Sequence, residues 1–182
     1  MALPKIEVPT YELTLPSRDE KIGFRPFTVK EEKILMIASE SENKDEIFNA
    51  ISNMINACTF NKLDVKKLPL FDIEYIFLQI RSKSVGEIAK FRVVCPDDLE
   101  TYAEVEVDIS KVEVEVDDDH TNKIQLDDEI LMVMKYPSLD QFIKSNFDFT
   151  EEVSMDQSFD LIASCIDKIY NEEEVWSTAD CT

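Results

Sequence analysis

Glycine is scarce in this chain, because the 182 residues include only two. That scarcity nearly excludes glycine-rich phosphate-binding loops, collagen-like repeats and flexible Gly/Ser linkers. Basic residues are also few, with 19 Lys and Arg against 39 Asp and Glu and a formal net charge of −20. Contacts to phosphate need Lys and Arg, so we expect neither nucleic acid nor an anionic membrane surface as a partner.

Targeting and redox signals are missing as well. The opening MALPKIEVP has no basic stretch followed by an apolar one, and no run of about 18 apolar residues occurs, so we expect neither a secretory signal nor a membrane span. The four cysteines, Cys58, Cys95, Cys165 and Cys181, contain no C-x-x-C pair. We therefore expect reduced thiols in a cytosol, with Cys58 and Cys165 as small core residues.

What is present can form a core, since 44% of the residues are hydrophobic and 32% are charged. The charge is unevenly distributed. Residues 1–94 contain 14 acidic and 14 basic side chains, for a net charge of 0, whereas residues 95–182 contain 25 and 5, for a net charge of −20. This acidic half is either a solvated surface that maintains solubility or a face that attracts a basic partner.

The first half of the chain predicts a hairpin followed by helices. Short alternating runs at 11–15 and 21–27 flank the polar residues 16–20, which is typical of a β-hairpin. Thr28 and Glu31 have the spacing of a capping box, which predicts a helix that ends near Ser39–Ser41. The apolar side of this helix would carry Ile34, Leu35 and Ile37.

Two further helices follow from the spacing of apolar residues. Residues 44–58 have apolar side chains three and four positions apart. The segment that begins near Pro69 and runs to Ser84 is apolar almost all round, which predicts a helix buried on several sides.

From about residue 87 the period changes to two. Strands are predicted at 87–95, 101–109 and 111–116, with Glu104 and its neighbours facing water. The predicted inward residues are Val105, Val107, Ile109, Val112, Val114 and Val116.

The C-terminal part predicts one more strand and helices. Residues 129–137 favour a central strand, 138–146 a short helix and 154–170 an amphipathic helix, while 171–182 look like a loop. The predicted fold class is α+β: an N-terminal hairpin and helices, then an antiparallel sheet with C-terminal helices. We place a weak boundary between 1–84 and the acidic 85–182, within one compact unit.

Catalytic and metal-binding signals are weak. The single imidazole, His120, lies in a polar turn beside Asp117–Asp119 and has no recognisable nucleophile motif near it. An EF-hand would need glycine and glutamate where this chain has Asn122 and Asp128, and the Cys95 turn lacks further zinc ligands. We expect no catalytic residue, no metal, no cofactor and no small-molecule substrate. An enzyme or metal protein built on Cys95, His120 and the aspartates stays as an alternative.

A minor alternative is mimicry of a nucleic acid. Two pairs of glutamates would place their carboxylates about 6.6–6.8 Å apart on one strand face. These pairs are Glu104 with Glu106 and Glu113 with Glu115. That spacing is close to that of phosphates in a single strand.

Two segments resemble a known family. They are similar to baseplate hub assembly proteins of T-even-type contractile bacteriophages, the products of gene twenty-six and its relatives. The first segment is LPKIEVPTYELTLPS with KIGFRPFTVKEEKILMIASES, and the second is NKLDVKKLPLFDIEYIFLQIRSKSVGE. The weaker CIDKIY stretch at 165–170 extends the resemblance to about residues 3–176. The resemblance implies a further acidic helical tail past the position of Thr182, so either this member is short or the chain ends early, and a function of that tail does not carry over.

The resemblance implies a protein that helps assemble the central hub of the phage tail baseplate inside the infected bacterium. Its partners would be other hub or tail proteins, and it would be either a transient, chaperone-like factor or a subunit retained in the virion baseplate. No catalytic residues carry over. The candidate interface residues, among which Arg25 and Arg81 have the fewest packing explanations, are Phe24, Arg25, Phe27, Leu70, Phe71, Tyr75, Arg81 and Trp176.

Overall fold

The structure, a computed structural model, describes residues 8–41, 43–139, 141 and 155–177. Its elements mix helices with antiparallel sheets, which confirms the α+β class. In chain order they are β1 (Tyr11–Leu15), β2 (Glu20–Phe24), α1 (Val29–Glu40), α2 (Lys44–Cys58), a 3-10 turn (Val65–Lys67), α3 (Leu70–Ser84), β3 (Ile88–Val94), β4 (Tyr102–Asp108), a 3-10 turn (Ile109–Lys111), β5 (Lys123–Gln125), β6 (Leu131–Met134), α4 (Met155–Ser164), β7 (Ile166–Tyr170) and β8 (Val175–Ser177).

Two compact units divide the chain. One comprises Met1–Val65 with Phe71–Val114, and the other Lys66–Leu70 with Glu115–Thr182. The boundary that we expect near residue 84 remains a prediction.

The predicted hairpin is confirmed as β1 and β2, which pair antiparallel with Leu13 opposite Ile22. Leu13, Leu15, Ile22 and Phe24 alternate with more exposed residues and are buried, so the hairpin has one core-facing side. The chain turns through Asp19, whose positive φ of 53° suits a short polar side chain.

The helices of the first unit also follow the sequence. The predicted capping box is present at the start of α1, where Glu31 accepts the backbone N–H of Thr28 at 2.7 Å. The second helix has the predicted limits, Lys44–Cys58. In α3, Ile73, Ile76 and Ile80 are buried, as the apolar pattern predicts.

The predicted strand at 111–116 is wrong. Asp108 ends β4 by accepting the backbone N–H of Ser110 at 3.1 Å, and a 3-10 turn follows. Residues 112–116 have no regular secondary structure, because no described strand pairs with them. Val114 and Val116, predicted to face inward, are exposed.

The predicted inward orientation of Val105 and Val107 is also wrong. Both are exposed, because β3 and β4 form a two-stranded ribbon and not one face of a larger sheet. Ile109, at the end of β4, is buried as expected.

The second unit contains a four-stranded antiparallel sheet in the order β5-β6-β7-β8 among the described residues. The predicted strand at 129–137 is confirmed as β6, and its interior position between β5 and β7 is confirmed too. Leu68 and Leu139 are buried here, and Leu139 donates its backbone N–H to the Leu68 carbonyl at 3.1 Å.

The long C-terminal helix is partly wrong. Helix α4 ends at Ser164, and residues 166–170 form β7, because their backbone pairs with β6 on one side and β8 on the other. The expected loop at 171–182 contains β8, while residues 178–182 lie outside the described residues. Most of the predicted helix at 138–146 also lies outside them.

Candidate protein-interaction surface

The FRPF segment connects β2 to α1 and begins inside the core. Phe24 is 1% exposed, and its ring centroid lies 5.7 Å from that of Tyr11. The backbone N–H of Arg25 donates to the Cys58 carbonyl at the end of α2, at 3.0 Å. Phe24 therefore contributes to packing in the folded chain, and its proposed contact with a partner stays untested.

Arg25 forms a bidentate ion pair with Glu31. Its Nη2 lies 2.6 Å from Oε1 and its Nη1 lies 3.0 Å from Oε2, and Nη1 also donates to the Pro26 carbonyl at 2.8 Å. The two side chains are 19% and 14% exposed. The hydrogen bond from Arg25 lowers the pKa of Glu31, and the same bond raises the pKa of Arg25. The guanidinium thus has a structural function within this unit.

Phe27 is half-buried and joins the same segment to α3. Its backbone N–H donates to the Ser84 hydroxyl at 2.9 Å, and that hydroxyl donates to the Ile80 carbonyl at 2.6 Å. The FRPF segment therefore has hydrogen bonds to the last turns of both α2 and α3.

The LPLFDIEY segment places Leu70, Phe71 and Tyr75 in half-buried positions. Sequence analysis missed its most enclosed polar group, Asp72, which is fully buried. Asp72 lies in the first turn of α3, where the helix N-terminus favours a carboxylate. The apolar run around it contains two acids, Asp72 and Glu74, and the sequence did not show that Asp72 is the buried one.

Arg81 and Trp176 complete the predicted set. Arg81 is half-buried on α3, and its Nη1 is buried with no hydrogen-bond partner among the described residues. Trp176 is half-buried in β8, opposite Ile169 of β7. Both remain predictions as interface residues.

The β3–β4 ribbon has one apolar face, which includes Val105 and Val107 that were predicted to face inward. Phe91 and Val93 are 51% and 50% exposed, and Val105, opposite Phe91, is exposed as well. The opposite face is charged: Lys90 pairs with Glu106 at 2.7 Å, and the Arg92 guanidinium lies 5.7 Å from the Tyr102 ring centroid. We call Phe91, Val93, Ala103, Val105 and Val107 the ribbon face.

Two helices also expose apolar side chains. On α1 they include Ile34, Met36 and Ile37, of which Ile34 and Ile37 were expected to face the core. On α4 they are Met155, Phe159 and Ile162, which follow one another at helical spacing. Exposed apolar surface of this kind is typical of proteins that bind other proteins.

The described thiols and the imidazole lie in different environments. Burial raises the pKa of the Cys58 thiol to about 11, and burial also raises the pKa of Cys165. His120 is exposed, with Nε2 2.6 Å from the Tyr136 hydroxyl and the two rings nearly parallel. Among the described residues no group of three or more His, Cys, Asp or Glu side chains is arranged to hold a metal ion.

Within that same part of the chain, no helix is both long and apolar enough to cross a membrane.

Exposed apolar faces on the ribbon and on two helices are typical of a protein that acts through contacts with other proteins. Comparison with protein families agrees with this class. The family model described as T4 bacteriophage base plate protein matches residues 8–182. The chain belongs to this family, whose members have a structural function in the phage tail baseplate. Comparisons with curated proteins and with solved structures gave no significant match.

Proposed function

We propose that this protein is an interaction factor in assembly of the central hub of the baseplate, and that it catalyses no reaction. The family supports a place in the baseplate, and the two segments that resemble hub assembly proteins support the hub. The observation that carries the proposal is the exposed ribbon face, because an isolated ribbon with exposed Phe91 and Val93 offers apolar surface for a partner to bury.

The acidic half supports a second aspect of the proposal. Residues 95–182 have a net charge of −20, so a partner with a basic surface would be attracted over distances of about 10 Å at ordinary salt. Charge of this kind acts mainly on the association rate and on the choice of partner.

Size-exclusion chromatography of the purified chain with each purified hub subunit of the same phage tests the proposal. We expect one subunit to co-elute with the chain, and the complex to weaken as salt rises from about 0.05 to 0.5 M, where screening is strong. Separate elution of the chain from every hub and baseplate subunit at low salt would contradict the proposal.

A transient factor and a retained subunit differ in where the chain is found after assembly. Mass spectrometry of purified virions distinguishes them, because a retained subunit is present in stoichiometric amount and a chaperone-like factor is lost. Either result is compatible with a function in hub assembly, and the measurement decides whether the chain is a transient factor or a retained subunit.

A further inference from the structure

Strand β4 has one edge paired with β3, and no other described strand pairs with its second edge, which we call the open edge. The backbone N–H of Ile109 donates to Glu87 O, and that of Cys95 donates to Thr101 O, both at 2.8 Å. Since hydrogen-bonded pairs alternate along an antiparallel ladder, the odd-numbered residues of β4 bond to β3. The backbone groups of Glu104 and Glu106 therefore point to the open edge, and no described residue bonds to them there.

The side chains along this edge have a definite charge pattern. Glu104 and Glu106 lie on one face of the ribbon, and Val105 lies on the other. Glu106 pairs with Lys90, whereas Glu104 has no ion pair with any described residue. The strand contains no proline and no bulge, so Glu104 and Glu106 are its protection as an exposed edge, and these charges act against acidic and not against basic strands.

The charges decide what kind of strand fits. A second copy of the chain that paired β4 with β4 would place Glu104 and Glu106 against the same carboxylates, and pairing of β3 with β3 would oppose Lys90 and Arg92 in the same way. Pairing of β3 with β4 matches the charges but is head-to-tail, so it does not close into a dimer. A strand with basic residues opposite the two glutamates, and apolar residues between them, fits without repulsion.

We propose that the open edge of β4 accepts a β-strand from a partner protein whose sequence alternates Lys or Arg with apolar residues. The identification of that partner as a baseplate protein rests on the proposed function, whereas the binding mode does not. Main-chain hydrogen bonds to Glu104 and Glu106 hold the strand, its basic side chains face their carboxylates, and its apolar side chains extend the ribbon face. Strand β3 already pairs with β4 by the same alternation, through Lys90 and Arg92.

Fluorescence anisotropy with labelled peptides of about nine residues, an ordinary strand length, tests the binding mode on the full chain. The probe alternates Lys with Val. One control peptide has the same composition in two blocks, and the other replaces each Lys by Glu. We expect the alternating Lys/Val peptide to bind at least about tenfold more tightly than either control, which corresponds to about 1.4 kcal/mol. Equal binding of the block peptide would show attraction by charge alone and would overturn the proposal.

A matched pair of variants locates the bound strand. Glu104→Pro removes an N–H from the open edge of β4, and Arg92→Pro removes the corresponding N–H from the open edge of β3, directly opposite. Proline is tolerated where the missing N–H faces water, so neither change breaks the bonds between the two strands. We expect E104P to lose about tenfold or more in peptide affinity and R92P to change it by less than about threefold. Loss with R92P alone would overturn the assignment to β4.

A charge reversal gives a second test if a proline variant fails to fold. Glu104→Lys keeps the N–H and inverts the side chain, so we expect weaker binding of the Lys/Val peptide and stronger binding of the Glu/Val peptide. Unchanged preference between the two peptides would overturn the proposal.

The two proposals fail in different ways. Unchanged affinity of E104P and E104K for the Lys/Val peptide, with a hub subunit still bound by both variants, would sink strand addition while leaving the hub function standing. Binding of the Lys/Val peptide at β4, together with separate elution from every baseplate subunit, would support the strand site and contradict the hub function.

Discussion

Ser17 in the turn of the β1–β2 hairpin donates two hydrogen bonds to the buried carboxylate of Asp72 in the first turn of α3. Its backbone N–H lies 3.0 Å from Oδ1, and its hydroxyl donates to Oδ2. The two residues are 55 positions apart, so this contact fixes the hairpin against the central helix of its unit. Asp72 has no ion pair with a described residue, and the helix N-terminus supplies the favourable field for its charge.

We expect Asp72→Ala to lower the free energy of unfolding by about 1–3 kcal/mol, because the Ser17 donors lose their acceptor. Asp72→Asn keeps one oxygen acceptor of nearly the same shape and should cost less than the alanine variant. Urea unfolding followed by circular dichroism measures both. Equal stability of all three proteins would show that the Ser17–Asp72 contact contributes nothing.

The Arg25–Glu31 pair predicts a dependence of stability on pH. The pKa of Glu31 is lowered in the folded state by the hydrogen bond from Arg25, so its contribution is present above the unfolded pKa, about 4.3, and is lost as pH falls through the folded pKa. Glu31→Gln should therefore lose less stability than the natural chain between about pH 5 and pH 3.

Its control is Glu32→Gln, since Glu32 is the exposed neighbour of Glu31. Denaturant unfolding at a series of pH values makes the comparison. The account of this ion pair fails if E31Q and the natural chain lose stability in parallel as the solution is acidified.

The ribbon face predicts a larger effect on binding than on stability. Phe91→Ser removes a half-exposed side chain that lies opposite Val105, so the free energy of unfolding should fall by about 1 kcal/mol, while affinity for the hub subunit falls by more. Lys90→Ser is the matched control, because Lys90 lies on the same strand and on the opposite face. Affinity is measured by isothermal titration calorimetry. A similar loss with K90S, or none with F91S, would exclude the ribbon face as the contact.

Thiol reactivity gives a prediction for the core. With a pKa of about 11, Cys58 has on the order of 100-fold less thiolate at pH 8 than an ordinary thiol, and it is also buried. Labelling with iodoacetamide, followed by peptide mass spectrometry, should modify the half-buried Cys95 well before Cys58. Urea should abolish the difference, and early labelling of Cys58 in the folded chain would contradict its enclosed position.

Local patterns in the sequence predicted the helices of the first unit. Helix α2 has both limits as predicted because its apolar spacing and the Asn43 cap agree, with the Asn43 side chain accepting the Asp45 N–H at 3.0 Å. The capping box of Thr28 and Glu31 is equally local. Signals of this kind depend on residues within one or two turns of each other.

Features that depend on distant pairing were harder to predict. Ile166 and Ile169 continue the helical spacing of α4, yet they lie in β7 because β6 and β8 supply partners on both sides. Valines of the ribbon alternate like those of a half-buried strand, but alternation does not reveal whether a covering layer exists. The sequence therefore did not show that Phe91 and Val105 are exposed on the ribbon. Phe24 and Arg25 have packing and ion-pair contacts within their unit, and the interface function of the predicted residues stays a prediction.

The most direct test of the central claim is the yield of complete baseplates in cells infected by a phage whose copy of this gene is interrupted. Sedimentation and electron microscopy of the lysate count baseplates that contain a central hub. The account predicts that such baseplates are absent, that the natural chain supplied in trans restores them, and that F91S restores them poorly at equal expression. Normal numbers of complete baseplates without the chain would contradict it.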